Sequence, residues 1–201
     1  MLGLKRSFRR MRRRREFHQC IRKIDPLRIV VGAGSIFDPG WCPSEIDTLD
    51  LLSRRDWVNA LGKRKIDAIL AEHVWEHLSA EQGTTAARTC FEFLKPGGYL
   101  RWAVPDAFHP SEEYREMCRP GGTGAGADDH KVFYNHKTAT KMFADVGFVV
   151  EMKQYFESNG TFHRADWDPD DGKIHRSAEF DWRNADGELR YTSLFLDARK
   201  P

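Results

Sequence analysis

Apolar residues fall into short continuous runs and one-sided stripes, and the two patterns alternate along the chain. Ile29-Val30-Val31 is a β-branched run with no polar partner, closed at once by Gly32-Ala33-Gly34. Such a run predicts a parallel strand over about 28–31, covered on both faces. Ile66-Asp67-Ala68-Ile69-Leu70-Ala71 predicts the next clear strand and runs into Glu72-His73-Val74-Trp75-Glu76-His77-Leu78. Ser79 with Gln82 forms a capping-box pattern, and Ala86, Ala87, Cys90, Phe91 and Leu94 share one face, so a helix is expected over about 80–94. Lys95-Pro96-Gly97-Gly98 stops it, because proline cannot continue a helix and glycine suits the left-handed cap. Tyr99 to Val104 is a strand closed by Pro105-Asp106. Asn135 can cap a helix through about Val146, with Gly147 as its stop, and Phe148–Tyr155 and Thr192–Ala198 complete the strands.

The connections carry their own information. Phe37-Asp38-Pro39-Gly40 reads as a turn. The interval from Gly34 to Cys42 is short for a crossover with a full helix. Either the first helix is reduced to a turn, or Glu45 and Asp47 do not follow the neighbouring strand. Trp57 lies in a mixed stretch and reads either as pocket rim or as packing on a helix face. Residues 107–130 end in four glycines within Gly121–Gly126, followed by Asp128-Asp129-His130. A long loop after the carboxyl end of a strand is where such sheets place a lid or substrate site. Residues 157–190 are polar, with Asp-Gly turns at 171–172 and 186–187, and suggest a hairpin excursion at one sheet edge. The expected fold is α/β: a Rossmann-like, doubly wound, mostly parallel sheet with an edge hairpin.

A chain of 201 residues with 40% hydrophobic content suits one domain with a sizeable core. No apolar run approaches the roughly 20 residues of a membrane span. Cys20, Cys42, Cys90 and Cys118 are scattered with no CxxC pair, which argues against a disulfide framework or a structural zinc site and for a reducing, cytoplasmic setting. Residues 1–24 hold ten Lys/Arg against Glu16, a local +9 inside a total of +2, so the remainder is at −7. Leu4, Phe8 and Met11 stand at helical spacing among these arginines. The segment reads either as a solvated arm or as a basic amphipathic helix that contacts an anionic membrane or nucleic acid weakly.

Several stretches, in order, resemble the class I S-adenosylmethionine (SAM) dependent methyltransferases, in particular the methyltransferase type 11-like group. They are Val31-Gly32-Ala33-Gly34, Gly40-Trp41 with Glu45, Ile66–Leu70 leading to Glu76-His77-Leu78, Leu94-Lys95-Pro96-Gly97-Gly98 and Val104-Pro105-Asp106. The resemblance implies a domain over residues 25–201 behind a basic N-terminal arm of residues 1–24. It implies SAM as cofactor, held along the carboxyl ends of the first strands. Gly32, Ala33 and Gly34 would pass close to its methionine part, and Glu45, or else Asp47, would hold the ribose hydroxyls. Glu72, His73 and His77 would border the cofactor. Two positions depart from the family pattern: Val30 stands where an acidic residue is usual, and Ile36 where a third glycine is usual.

The activity so implied is methyl transfer to an oxygen or nitrogen nucleophile of a small-molecule or glycan-type acceptor. An acceptor of that kind must lose a proton, and His130, Tyr134 and His136 beside the Gly-rich loop are the candidate bases, with His109 further out. The alternative from another class is a non-catalytic Rossmann-like module acting through its basic arm. A dinucleotide oxidoreductase would want a third glycine at position 37, where Phe stands. His73-Val74-Trp75-Glu76-His77 also fits H-x-x-E-H. That zinc-protease chemistry needs both histidines on one helix face, whereas this segment follows a strand directly, so no metal ligand is assigned.

Overall fold

Alternate residues of the central strands enter two different packing layers, and this places everything else. The computed structural model describes residues 2–34 and 36–201. The strands are β1 (Arg28–Val31), β2 (Cys42–Ser44), β3 (Ile66–Glu72), β4 (Leu94–Pro105), β5 (Val149–Phe156), β6 (Phe162–Arg164) and β7 (Ser193–Arg199). Among the described residues they form one sheet in the order β2-β1-β3-β4-β7-β5-β6. β2, β1, β3 and β4 run parallel, β7 is antiparallel to β4, and β5 is antiparallel to β7. The sheet is therefore mostly parallel, and the β5–β6 hairpin closes one edge.

One layer receives Ile29 and Val31, Ile69 and Ala71, Leu100, Trp102 and Val104, and Leu194 and Leu196. Helices α2 (Arg54–Leu61), α3 (Ala80–Phe93) and α5 (His136–Val146), the last following the short α4 (Glu112–Cys118), contribute Trp57, Ala86, Cys90, Phe93, Ala139 and Phe143 to it. Trp57 thus packs on a helix face, fully buried, with its indole N–H donated to the Asp50 carbonyl. The α3 capping box forms as the sequence spelled it, Ser79 and Gln82 each bonding the other's backbone N–H.

The other layer receives Val30, Ala68, Leu70, Ala103 and Phe195, and among the described residues no helix joins it. Trp41, Trp167 and Ile174, all from connecting segments, cover it instead. Arg101 of β4 points the same way and is 2% exposed. It makes a bidentate pair with Asp197 of β7, at 2.7 and 2.9 Å, and donates to the carbonyls of Asp168 and Gly172, both at 2.8 Å. The segment after β6 is thereby an irregular strap across the sheet. Neither Asp-Gly site carries a strand pair; the chain forms single 3₁₀ turns at Pro169–Asp171 and Trp182–Asn184.

β1 and β2 pair in parallel with no helix between them, so the first crossover is reduced to a turn. The third glycine of the family pattern packs a helix closely onto its strand. With no helix there, Ile36 costs nothing in packing and stands half exposed.

Helix α1 (Leu2–Lys23) occupies the N-terminal segment. Phe8 and Met11 are exposed, whereas Phe17 and Ile21, one turn apart near its carboxyl end, are buried in the helix-side core. Leu4 lies outside the residues whose side chains are described. Arg14 donates to the Asp47 carbonyl at 3.0 Å, and Arg64 holds the carbonyls of Ile21 and Ile24. The expectation of four separate cysteines is corrected at one pair: Cys20 and Cys42 are disulfide-linked, with Cα atoms 5.7 Å apart. Linear spacing gave no sign that α1 lies along the edge strand. Cys90 and Cys118 are free and buried. No described helix is long and apolar enough to cross a membrane.

Arg101→Met would leave the buried Asp197 with the longer contacts of Lys153 and Arg199, both at 3.9 Å, in place of its bidentate partner, and breaking such a buried pair costs about 3–5 kcal/mol. Chemical denaturation should show a loss of that size, and Arg101→Met/Asp197→Leu should recover part of it.

Candidate functional site

The carboxyl ends of β1 and β3 open into a cavity of about 740 Å³, within the range of small-ligand sites. Gly32, Ala33 and Gly34 form one wall, with Glu72 at the end of β3 and His73, Glu76 and His77 beyond it. Met117, Cys118, Gly124, Ala125 and His130 come from the long loop, and His175, Arg176, Asp181, Arg183 and Tyr191 from the strap. A second cavity of about 710 Å³ lies between α1 and β2 and is lined by Arg13, Phe17, Pro43, Glu45 and Thr48 among others. Gly34 and Phe37 line both, so the two spaces meet across the glycine turn.

The glycines are required by geometry. Gly32 has φ +62° and Gly34 φ +57°, in the left-handed region that side chains disfavour. A Cβ on Gly32 would stand 2.6 Å from Val74 Cγ2, whereas one on Gly34 would meet nothing within 4 Å. The main chain at Gly34 therefore borders open space.

Just past β3 the backbone is strained. His73 has φ +56°, uncommon for a residue with a side chain. Its N–H bonds the Ala103 carbonyl at 2.9 Å, its Nε2 lies 2.9 Å from Ser193 Oγ, and its Nδ1 lies 3.0 Å from Glu76 Oε1. The last contact has ion-pair distance without hydrogen-bond alignment, and both Glu76 oxygens are otherwise without a hydrogen-bond partner. Burial pushes the Glu76 carboxyl up, but His73, the backbone and His77 outweigh it and hold the group below its ordinary range. Glu72 is committed to the strap: its two oxygens accept the N–H groups of His175 at 3.1 Å and Arg176 at 2.7 Å. His175 reaches back to Asp38 at 3.7 Å, so glycine turn and strap face each other across the cavity.

The remaining candidates separate. His130 lines the cavity, and its Nδ1 lies 2.7 Å from the Cys118 carbonyl. Tyr134 is buried edge-on against Trp102, its hydroxyl pushed up to about 12 by burial and by Glu76. His136 opens α5, its Nδ1 3.1 Å from the Phe156 carbonyl and its Nε2 3.5 Å from Glu157. Asp47 faces α1, with Arg13 at 3.5 Å. Glu45 lies in the smaller cavity, and its carboxylate makes no ion pair with the described residues. His109 is buried and stacked on Tyr114 with ring centres 3.8 Å apart. Asp106 below it accepts the N–H groups of Phe108 at 2.9 Å and Phe156 at 2.8 Å.

No protein-family model matches the chain, and no curated protein does. Solved structures do. A DUF574 family protein from Streptomyces avermitilis superposes with a TM-score of 0.55 at 16% identity, covering 95% of this chain and 84% of that one. A SAM-dependent methyltransferase from Thermotoga maritima gives 0.53 at 12% identity, covering 99% and 95%. An O-methyltransferase family protein from Burkholderia thailandensis gives 0.50 at 11% identity, covering 92% of this chain and 55% of that one. The chain has the class I SAM-dependent methyltransferase fold.

The strap residues His175, Arg176, Asp181, Arg183 and Tyr191 were invisible in the sequence, whose only local signal was two Asp-Gly turns. Glu76 was visible as part of a motif, but its burial was not.

His109 is held neutral. Burial, then Arg115, push its imidazole down to about 4. The unfolded chain takes up this proton at about 6.5, so the contribution is present above that pH and is lost as pH falls toward 4. Asp106 acts in the opposite sense, because burial raises it to about 6 and its proton uptake favours the fold below that pH. Replacing His109→Phe should flatten the acid limb of stability between pH 6.5 and 4 by about 2–3 kcal/mol. Urea midpoints across that range measure it; an unchanged limb would mean another group carries the loss.

Proposed function

We propose that the chain binds SAM and transfers its methyl group to an oxygen or nitrogen nucleophile of a small polar acceptor. One observation carries this reading. The carboxyl ends of β1, β2 and β3 bring the open glycine turn, Glu45, which forms no ion pair with the described residues, and the His73 bend around two spaces that meet at Gly34. The donor set suits the group: a close main-chain approach for the methionine part and a free carboxylate for two ribose hydroxyls. Glu45 takes the ribose role, since Asp47 is engaged by Arg13.

SAM supplies a methyl already activated by a positive sulfur. The chain's share is to align the acceptor, exclude water and receive a proton. His73, His130 and His175 line the larger cavity, where the acceptor binds; of the three proposed bases only His130 is among its described lining residues. Arg176, Arg183 and Asp181 there favour a polar acceptor, in keeping with a small molecule or glycan. Helix α1 walls the smaller cavity through Arg13 and Phe17.

Calorimetric titration with SAM and with its demethylated product tests the reading. Micromolar binding is expected, with Glu45→Ala weakening it about tenfold or more while the melting profile holds, as for loss of a charged hydrogen-bond acceptor. No binding at millimolar ligand would refute methyl transfer and turn attention to the basic helix.

A further inference from the structure

Four of the eight histidines, His73, His77, His130 and His175, line the larger cavity. Within it one ligand-capable atom from each of Glu76, His77 and His130 lies within 4.8 Å of the others. Glu76 is the group that asks for a partner. It is 1% exposed, it lines the cavity, and its Oε2 has no hydrogen-bond partner among the described residues. A buried carboxylate left so is costly unless positive charge sits against it. His73 accounts for Oε1 only.

The two imidazoles are placed to complete a site. A carbonyl oxygen only accepts, so the 2.7 Å contact between His130 Nδ1 and the Cys118 carbonyl puts the proton on Nδ1. The lone pair is then on Nε2. Metal-bound histidines are oriented in this way by their other nitrogen. The backbone ties the two ligand-bearing segments together, since the Glu76 carbonyl accepts the N–H of Lys131 at 2.6 Å and of Val132 at 3.3 Å. Asp129 Oδ2 lies 3.3 Å from His77 Nδ1, a contact without hydrogen-bond alignment, and is near enough to add an oxygen.

We infer that Glu76, His77 and His130 bind one divalent first-row transition ion. Two imidazoles and one carboxylate suit Zn²⁺, and three protein ligands leave a position open to the cavity. The site differs from the protease arrangement of H-x-x-E-H. His73 is turned to Ser193 and Glu76, and the third ligand comes from the Gly-rich loop. The site stands without the methyl-transfer reading. If that reading holds, a hydroxyl bound to the ion becomes more acidic, and the His130 lone pair is a ligand rather than a proton acceptor.

The test is a calorimetric titration of Zn²⁺ into chelator-stripped full-length protein without SAM. One equivalent should bind and raise the melting temperature. His77→Asn and His130→Ala, at partly exposed positions, should each weaken binding at least tenfold, as should Glu76→Gln if it folds. Co²⁺ in place of Zn²⁺ should show d–d absorption without a thiolate-to-cobalt band. A thiolate band would assign the ion to a cysteine and overturn the proposal. Absence of binding, or binding unchanged in the His77→Asn/His130→Ala double variant, would overturn it equally. Zn²⁺ binding together with failed SAM binding would sink only the methyl-transfer reading.

Discussion

The pairing of Arg101 with Asp197 is the constraint on which the site depends. A sheet with apolar residues on both faces needs two covers. Helices supply one; the other is a loop segment with little regular structure of its own. Trp167 and Ile174 bring apolar area to it, but area alone does not fix a register. The guanidinium does, because its fork is filled by Asp197 on the sheet and by two carbonyls of the strap. A buried ion pair adds little net stability over apolar packing and much positional definition. Here the definition reaches the cavity, since the strap anchored at Gly172 supplies the His175 and Arg176 N–H groups that occupy Glu72.

The parts of the fold that were legible in the sequence were those whose pattern is local. β1, β3, α3 and α5 announce themselves by a β-branched run, a capping box or an Asn cap, and each lies within a residue or two of its expectation. The glycine turn was legible because its chemistry is contained in three residues. The strap was not: its order comes from Arg101, more than sixty residues earlier in the chain, and no local periodicity encodes such a contact. α1 was half legible. Helical spacing drew attention to Leu4, Phe8 and Met11; among the side chains described, Phe8 and Met11 are exposed and Phe17 and Ile21, nearer the carboxyl end, are buried. Glu76 and His77 could be read as a motif, but their convergence with His130 depends on the Gly-rich loop folding back to the Glu76 carbonyl.

The missing helix between β1 and β2 bears on which ligands the glycine turn can receive. In dinucleotide sites the turn opens a helix, whose unpaired N–H groups and dipole put positive potential against a pyrophosphate. Here the turn passes directly to Asp38 and on to an edge strand. It offers room for close approach, and the nearest formal charge that its own loop provides is negative. A phosphate placed there would give up its hydration for no helix terminus in return. Without that helix the turn itself has no terminus to offer an anion, and the positive charge of the cavity comes instead from Arg176 and Arg183 of the strap.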